Sequence, residues 1–468
     1  MNASAIARTP NPQPLIWTAA LLGAAASGLL AAYQTELGVA AAVALVALPM
    51  SVLFPKLIVH VLLVATFANT ITLGGVTVGR LVAPLALVAI LTTVVRSPLR
   101  TRWSRATIVS VVAYCTIALC SLLWTQSTAG SIEEIGALAL SLLYALAFAV
   151  LLKDERDLRA VLWVVTACSV SLALLWISRY LSGVDRRFND AGDPNFFAAL
   201  QVIALPLVMV LAAGAKTHLR RFLLYGGVAL IAASVVSTLS RGGLLTLLVA
   251  ALLITLLPTR EVFRSRAQKR NVFIAATIGL GLLLTFAWED VAHRFEVGFN
   301  QDHIAGGRAD LWFAAYHAYE DHPLGGIGYG AFHDESFQLL RTTPGVNLEE
   351  HLRFVDTGEY VHNAYLGSLA ELGPLGLAAF LGILVAAARS LRKTARLGRE
   401  AGNDLVTSCA NALFVGLVAF CVSSVFLSTE TSRSLWLLIG LSVALPEILH
   451  RATEESLPPP RSGRRARA

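Results

Sequence analysis

Apolar runs of about twenty residues recur along most of the chain, separated by short polar stretches. A helix needs about 20 apolar residues to cross the roughly 30 Å hydrocarbon core of a bilayer. The pattern predicts crossings near 15–33, 37–54, 56–73, 79–95, 106–124, 135–152, 158–181, 195–214, 221–239, 242–257, 271–288, 374–391, 406–427 and 433–450. That is fourteen crossings, with twelve as the lower reading because the early hairpin pairs are short. The first run, Leu15 to Leu30, is preceded by only one cation, Arg8, and many runs follow it. It therefore reads as a membrane helix rather than a signal peptide. The fold class is an all-α polytopic membrane protein of about 12–14 transmembrane helices.

One long polar interruption breaks this pattern, between Trp288 and Gly373. It divides the chain into an N-terminal transmembrane bundle (1–288), a loop with short helices (289–361), C-terminal transmembrane helices (362–450) and a basic, disordered tail (451–468). Basic clusters occur at Arg96–Arg105, Lys153–Arg159, Lys216–Arg221, Arg260–Arg270 and Arg389–Arg399, and in the tail at Arg461–Arg467. Every second loop is thus basic, which places those loops and both termini in the cytoplasm and 289–361 outside. That segment holds thirteen acidic residues against four arginines. All five lysines (Lys56, Lys153, Lys216, Lys269 and Lys393) fall on the cytoplasmic side. The ten basic residues assigned outside, among them Arg80, Arg179, Arg241, Arg308 and Arg433, are all arginine. A fixed, planar guanidinium suits bidentate contact with phosphate or carboxylate. Arginine also outnumbers lysine inside, so usage alone accounts for part of the bias.

Composition narrows the picture further. The chain is 56% hydrophobic and 14% charged, against about 25% charged in soluble domains. The net charge of +7 resides in short inter-helix loops, so it does not point to nucleic acid. The five cysteines all lie in apolar runs, which argues against a disulfide framework or a cysteine metal site.

Candidate chemistry gathers near the polar interruption. Arg241 lies in Ser240-Arg241-Gly242-Gly243, between two apolar runs with no room for a loop. An arginine there either snorkels to the interface or binds a ligand; the glycines permit close approach. Arg308 opens a predicted helix over 308–321, whose apolar face is Leu311, Trp312, Ala315 and Tyr319. That helix is expected to lie along the membrane boundary with Trp312 as anchor. Its first-turn arginine runs against the helix dipole.

Gly325-Gly326-Ile327-Gly328-Tyr329-Gly330 has no preceding strand and no following lysine or serine, so it reads as a tight turn rather than a nucleotide loop. Six of the ten histidines lie between Glu289 and Val361, with no His-Glu-x-x-His pattern, so no metal site is predicted. His362, followed by Asn363 and Tyr365, begins a helix that Gly373-Pro374 interrupts. A helix N-terminus favours neutral imidazole, which a general base requires, although a lone histidine is more often structural and six neighbouring histidines compete with it. Arg186-Arg187-Phe188 precedes Asp193-Pro194-Asn195, a helix start with proline in the first turn.

Taken in order, these pieces resemble the O-antigen ligase and polymerase superfamily of bacterial membrane glycosyltransferases. They are Arg187-Phe188 with Asp193-Pro194-Asn195, Ser240-Arg241-Gly242-Gly243, Gly307-Arg308 with Leu311-Trp312 and His322 to Gly328, and His362-Asn363-Ala364-Tyr365 with Glu371-Leu372-Gly373. The resemblance covers about Asp185 to Ser390. It implies a helical fold of the lipid-linked-sugar glycosyltransferase type in the bacterial inner membrane, with its active site facing the periplasm. The donor would be a glycan on undecaprenyl pyrophosphate, used without cofactor, nucleotide or metal. The acceptor would be lipid A–core, or a growing glycan chain in a polymerase. On this resemblance Arg241, Arg308 and Arg187 hold the donor pyrophosphate, and His362 activates the acceptor hydroxyl. Asn195, Trp312, Asn363 and Tyr365 support them. The reading from another class is a transporter or flippase, which expects charges and broken helices near the midplane. Here the charged candidates cluster at the outer rim.

Overall fold

The computed structural model describes residues 47–68, 72–73, 76–96, 103–182, 193–256, 266–267, 269–270, 274 and 308–456. The expected spans 15–33 and 271–288, most of 37–54, the Arg186-Arg187-Phe188 stretch and the tail beyond 456 lie outside the described residues.

Thirteen helices organise these residues: α1 (Pro55–Phe67), α2 (Val78–Arg96), α3 (Arg105–Cys120), α4 (Thr128–Leu151), α5 (Glu155–Leu181), α6 (Pro194–Gly214), α7 (His218–Ser237), α8 (Arg241–Leu256), α9 (Arg308–Asp321), α10 (Ala331–Thr342), α11 (Ala364–Glu400), α12 (Asp404–Ser423) and α13 (Arg433–Ser456). Among the described residues nine helices are long and apolar enough to cross a membrane. The protein is an all-α polytopic membrane protein. A two-residue antiparallel ladder, Thr72 opposite Thr77 and Leu73 opposite Val76, fills the turn before α2.

The helix starts follow from side-chain chemistry. Ser104, Ser127, Asp154, Asp193, Thr217, Asn363 and Asn403 each accept a hydrogen bond from an N–H in the first turn of the helix that follows. Such caps satisfy donors that would otherwise face the bilayer boundary unpaired. Asp154 and Asp157 form a reciprocal capping box.

Four expectations need correction. The helix predicted over 135–152 starts at Thr128 instead, because the Ser127 cap lies before Glu133-Glu134 and takes both into the helix. The predicted span 56–73 stops at Phe67, and the ladder strand follows. The Arg389–Arg399 cluster lies on α11, which runs on past the apolar stretch, and not in a loop. His362 does not begin a helix: α11 starts at Ala364, two residues later.

The core is built on α4, α11, α12 and α13, with Phe148, Phe380, Phe420 and Trp436 fully buried among them. Helices α6 and α13 are each 78% buried over their apolar windows, whereas α3 is 22% buried, so α6 and α13 are central and α3 is peripheral. Two ends are distinct. At one end Lys56 pairs with Asp154 and Asp157 at 3.1 and 2.7 Å, and Asn403 donates to Glu155 at 2.8 Å. At the other end sit the starts of α2, α4, α6, α8, α11 and α13 and the whole of α9 and α10.

Candidate functional site

The connection from α12 to α13, residues 424–432, ties this second end together. The His362 N–H donates to Ser428 Oγ at 3.1 Å, and the Ala364 N–H donates to the Ser424 carbonyl at 2.8 Å. Phe426 lies against Gly242, where an added Cβ would come within 3.3 Å of its ring. The Phe426 and Trp312 ring centroids are 6.5 Å apart. One short segment thus joins the histidine, the start of α8 and α9.

His362 is held in the left-handed region, φ 53°, between buried Val361 and the capping residue Asn363. Leu239, φ 52°, is the one other non-glycine residue of positive φ among the described residues. Such backbone costs about 1–3 kcal/mol per residue and gathers at functional sites. The His362 Nδ1 is buried without a hydrogen-bond partner. Burial pushes the imidazole down to about 4; the Arg308 charge pushes the same way, and Asp193 opposes them. Arg308, Asp193 and His362 are therefore close enough for their charges to interact.

Arg241 and Arg308 are the first residues of α8 and α9. Leu239 lies in the three-residue connection before Arg241, so the sharp turn expected there is present. Ser240 fixes that turn: its Oγ accepts from the Gly243 N–H at 2.9 Å and donates to Asn195 Oδ1 at 2.7 Å. Asn195 in turn donates from Nδ2 to Asp193 Oδ1 at 2.8 Å. A chain of polar groups thus runs from α8 to Asp193, and Asn195 serves as its middle link. The glycines after Arg241 serve protein packing: a Cβ at Gly243 would meet Ala198 at 2.6 Å. Asn363 caps Tyr365 and Leu366, and the Tyr365 hydroxyl donates to the Cys421 carbonyl at 2.7 Å. Both therefore hold α11 in place. Arg187 lies outside the described residues.

The glycine turn has a similar answer. Gly326, Gly328 and Gly330 have φ of 67°, 105° and 75°. Its N–H groups are already taken: Ile327 and Gly328 donate to the Ala370 and Glu371 carbonyls, and Tyr329 to Ser121 Oγ. Gly330 and Phe332 donate to the Glu371 carboxylate at 2.9 and 3.2 Å. From Gly326 to Phe332 every backbone N–H already has an acceptor within the protein, so these groups do not cradle a phosphate. The turn docks onto the break in α11 at Gly373, where φ is 68° and a Cβ would meet the Leu324 carbonyl at 2.3 Å.

A cavity of about 910 Å³ opens beside His362. His362, Asp193, His333, Tyr360, Glu134 and Glu430 line its polar part. Arg80, Arg179 and Arg433 line it too, while Arg241 and Arg308 do not. His333 packs at a tilt of 40° against Tyr360, centroids 4.3 Å apart, and its Nδ1 is 3.2 Å from Asp334. Burial pushes the Glu430 carboxyl well above the usual carboxylate range. His351 is buried between Glu359 and Asp310 and locks the loop internally. Among the described residues no three His, Cys, Asp or Glu side chains converge as a metal-holding group.

Sequence reasoning missed Glu134, Glu430 and the 424–432 segment. A signal was present for one of them: Glu430 is the one acid between Asp404 and Glu447. An isolated carboxylate in so apolar a stretch marks a specific partner or an aqueous space.

Residues 226–381 match the family model described as O-antigen ligase. The matched stretch begins within α7 and ends within α11, and it contains Arg241, Arg308 and His362. This supports membership of the O-antigen ligase/polymerase superfamily and, in general terms, a glycosyltransferase-like enzyme. No curated protein matches the chain.

Proposed function

We propose that the chain is a member of the O-antigen ligase/polymerase superfamily and transfers a glycan from undecaprenyl pyrophosphate to an acceptor hydroxyl at the periplasmic face of the bacterial inner membrane. The carrying observation is the placement of His362: a half-buried imidazole, held neutral, with a buried, unpartnered Nδ1, on the cavity wall and within reach of the Arg308 charge.

The chemistry follows from those positions. Arg308 and Arg241 hold the donor pyrophosphate on one side of His362, and the cavity receives the acceptor on the other. His362 takes the proton of the acceptor hydroxyl as its oxygen bonds to the anomeric carbon. The bond from that carbon to the pyrophosphate oxygen breaks, and undecaprenyl pyrophosphate leaves with the electron pair. Attack opposite the leaving group inverts the anomeric centre. Guanidinium groups stabilise the charge that develops on the leaving phosphate, in place of a metal ion. Asn195 and Ser240 set the direction of α8, and Asn363 and Tyr365 that of α11. Trp312 braces α9 against Phe426.

Gene deletion followed by analysis of surface glycan tests the function. Accumulation of lipid-linked polymer identifies a ligase acting on lipid A–core. Surface molecules capped with single repeats identify the polymerase of the same superfamily. Unchanged surface glycan and unchanged lipid-linked intermediates would refute the transferase reading.

A further inference from the structure

His351 has no part in the mechanism above. Its side chain is only 4% exposed, although it lies in the polar segment between α10 and α11. Two carboxylates face it. Nδ1 is hydrogen-bonded to Glu359 Oε2, and Nε2 lies 3.5 Å from Asp310 Oδ2. Those side chains are 12% and 19% exposed, so water screens the group poorly. Two carboxylates brought this close without the imidazole would repel each other. The ring is also fixed from its own backbone. The His351 N–H donates to the Leu348 carbonyl at 3.0 Å, and its carbonyl accepts from the Phe354 N–H at 2.9 Å.

The two carboxylates belong to the two pieces that carry the proposed chemistry. Asp310 is in the first turn of α9, two residues after Arg308. Residues i and i+2 of a helix stand roughly 200° apart about its axis. Asp310 is thus gripped from one side of α9 while Arg308 leaves from the other. Asp310 Oδ2 also accepts from the Asn347 N–H at 3.3 Å. Glu359 stands three residues before His362.

Glu359 is anchored in turn on α10. Its N–H donates to Ser336 Oγ at 2.9 Å, and that hydroxyl donates to the His333 carbonyl at 2.9 Å. At Gly358, φ 69°, an added Cβ would come within 2.2 Å of the same carbonyl oxygen. Leu311 and Ala314 of α9 share a buried apolar cluster with Val361, the residue before His362. The polar bridge and the apolar cluster therefore join the same two pieces of chain.

We propose that His351 is a positioning residue: it clamps the first turn of α9 to the stretch that leads into His362, and so sets the separation between Arg308 and His362. A misplacement of about 1 Å can cost about 10²-fold in rate, so a side chain that touches no substrate can govern turnover in this way. The reaction served rests on the transferase reading; the clamp does not.

The test reads geometry and turnover separately, in purified full-length protein in lipid nanodiscs. Spin labels on Phe313→Cys of α9 and Leu375→Cys of α11, both exposed positions, report the placement of α9 in a chain cleared of its five native cysteines. With His351 intact the distance distribution should be narrow, and in His351→Ala it should broaden. Transfer is assayed from a glycan on undecaprenyl pyrophosphate to lipid A–core or to a second lipid-linked glycan. His351→Ala should lower kcat at least tenfold and leave the acceptor KM within threefold. The acid limb of its kcat/KM profile should move to higher pH, because the Arg308 charge that pushes the His362 imidazole down is no longer held near it. A mere loss of stability reduces the amount of active protein and leaves that limb in place. Should His351→Ala fail to fold, the Glu359 variants carry the test. Glu359→Gln keeps an acceptor for Nδ1 and should retain kcat within threefold, whereas Glu359→Ala should lose at least tenfold. An unbroadened distribution in His351→Ala, a fall in kcat with the acid limb unmoved, or equal rates in the two Glu359 variants would overturn the proposal. A broadened distribution in a protein whose parent transfers no glycan would sink the transferase reading and leave the clamp standing.

Discussion

Of the two strained non-glycine residues, Leu239 lies two residues before Arg241, proposed to hold phosphate, and His362 is itself the proposed base. A free imidazole held down near 4 is a weak base at neutral pH, because proton transfer is most effective near the operating pH. On the proposed mechanism, donor binding would supply the remedy. Pyrophosphate on Arg308 would offset one of the charges that depress His362, so the proposed base would gain strength once the donor is seated. The acid limb of kcat/KM, which reports free enzyme, should therefore lie well below the usual imidazole range, and that of kcat should lie at higher pH. Arg308→Gln should move the free-enzyme limb upward. A limb that stays put in that variant would remove Arg308 from the environment of the base. His362→Ala should reduce turnover by about 10²–10⁴-fold while keeping donor binding. Turnover within a few-fold of wild type would end the general-base assignment. His317 faces Glu320 and Asp321 on α9, away from this chemistry, so His317→Ala should do much less. His333 lies on the cavity wall, and its loss should act through acceptor affinity if at all. Arg241→Lys and Arg308→Lys keep charge but lose the planar fork, so each should slow transfer by roughly ten- to a hundredfold. Normal rates in both, at normal expression, would reduce these arginines to interfacial residues.

At the scale of elements, much of the motif content turns out to be architecture. Bounds of 308–321 for α9 were legible because its apolar spacing, its start at Arg308 and the stop at His322-Pro323 are all local. The turn at Gly325–Gly330 was legible as a turn for the same reason. Its function as a dock was not, because its partners are Ser121, Ala370 and Glu371, and no local pattern encodes pairings over such distances. Glu134 was hidden likewise: a paired Glu133-Glu134 reads as a loop until the Ser127 cap places it on the helix wall. The dock can be tested with two glycines of similar backbone. An added Cβ at Gly326 meets the Glu371 backbone at 2.4 Å, whereas at Gly345, φ 81°, nothing lies within 4 Å. Gly345→Ala should cost about 1 kcal/mol from backbone strain alone. Gly326→Ala adds overpacking and should cost on the order of 3 kcal/mol. Thermal unfolding and limited proteolysis of the 308–363 region compare them. Equal behaviour of the two variants would mean that the turn does not bind this segment to α11.

Across the whole molecule, the sorting of charge in the sequence matches the sorting of helix ends in space. Lys56 and Lys153 lie at the end where Arg451 also approaches, and Glu155 meets Asn403 there. Arg80, Arg179, Arg241, Arg308 and Arg433 lie at the end that carries His362 and the cavity. The alternation of basic loops was legible because each loop needs only its own composition. Convergence of the arginines was not, since it depends on which helices pack together. The positive-inside rule predicts an orientation with the lysine-bearing end in the cytoplasm and α9 and α10 outside. Single cysteines placed in a chain cleared of its five native ones decide this. Gln338 on α10 and Arg396 on α11 are both exposed and belong to opposite ends. Gln338→Cys should react with an impermeant maleimide in cells whose outer membrane is permeabilised, and Arg396→Cys only after the inner membrane is opened. Cys120 must be among those removed, since it is exposed at the α3 terminus near the 308–363 segment and would label in its own right. Should Gln338→Cys stay protected while Arg396→Cys reacts, the bundle is inverted. A periplasmic donor and acceptor could not then reach His362, and the transferase assignment would fall with the topology.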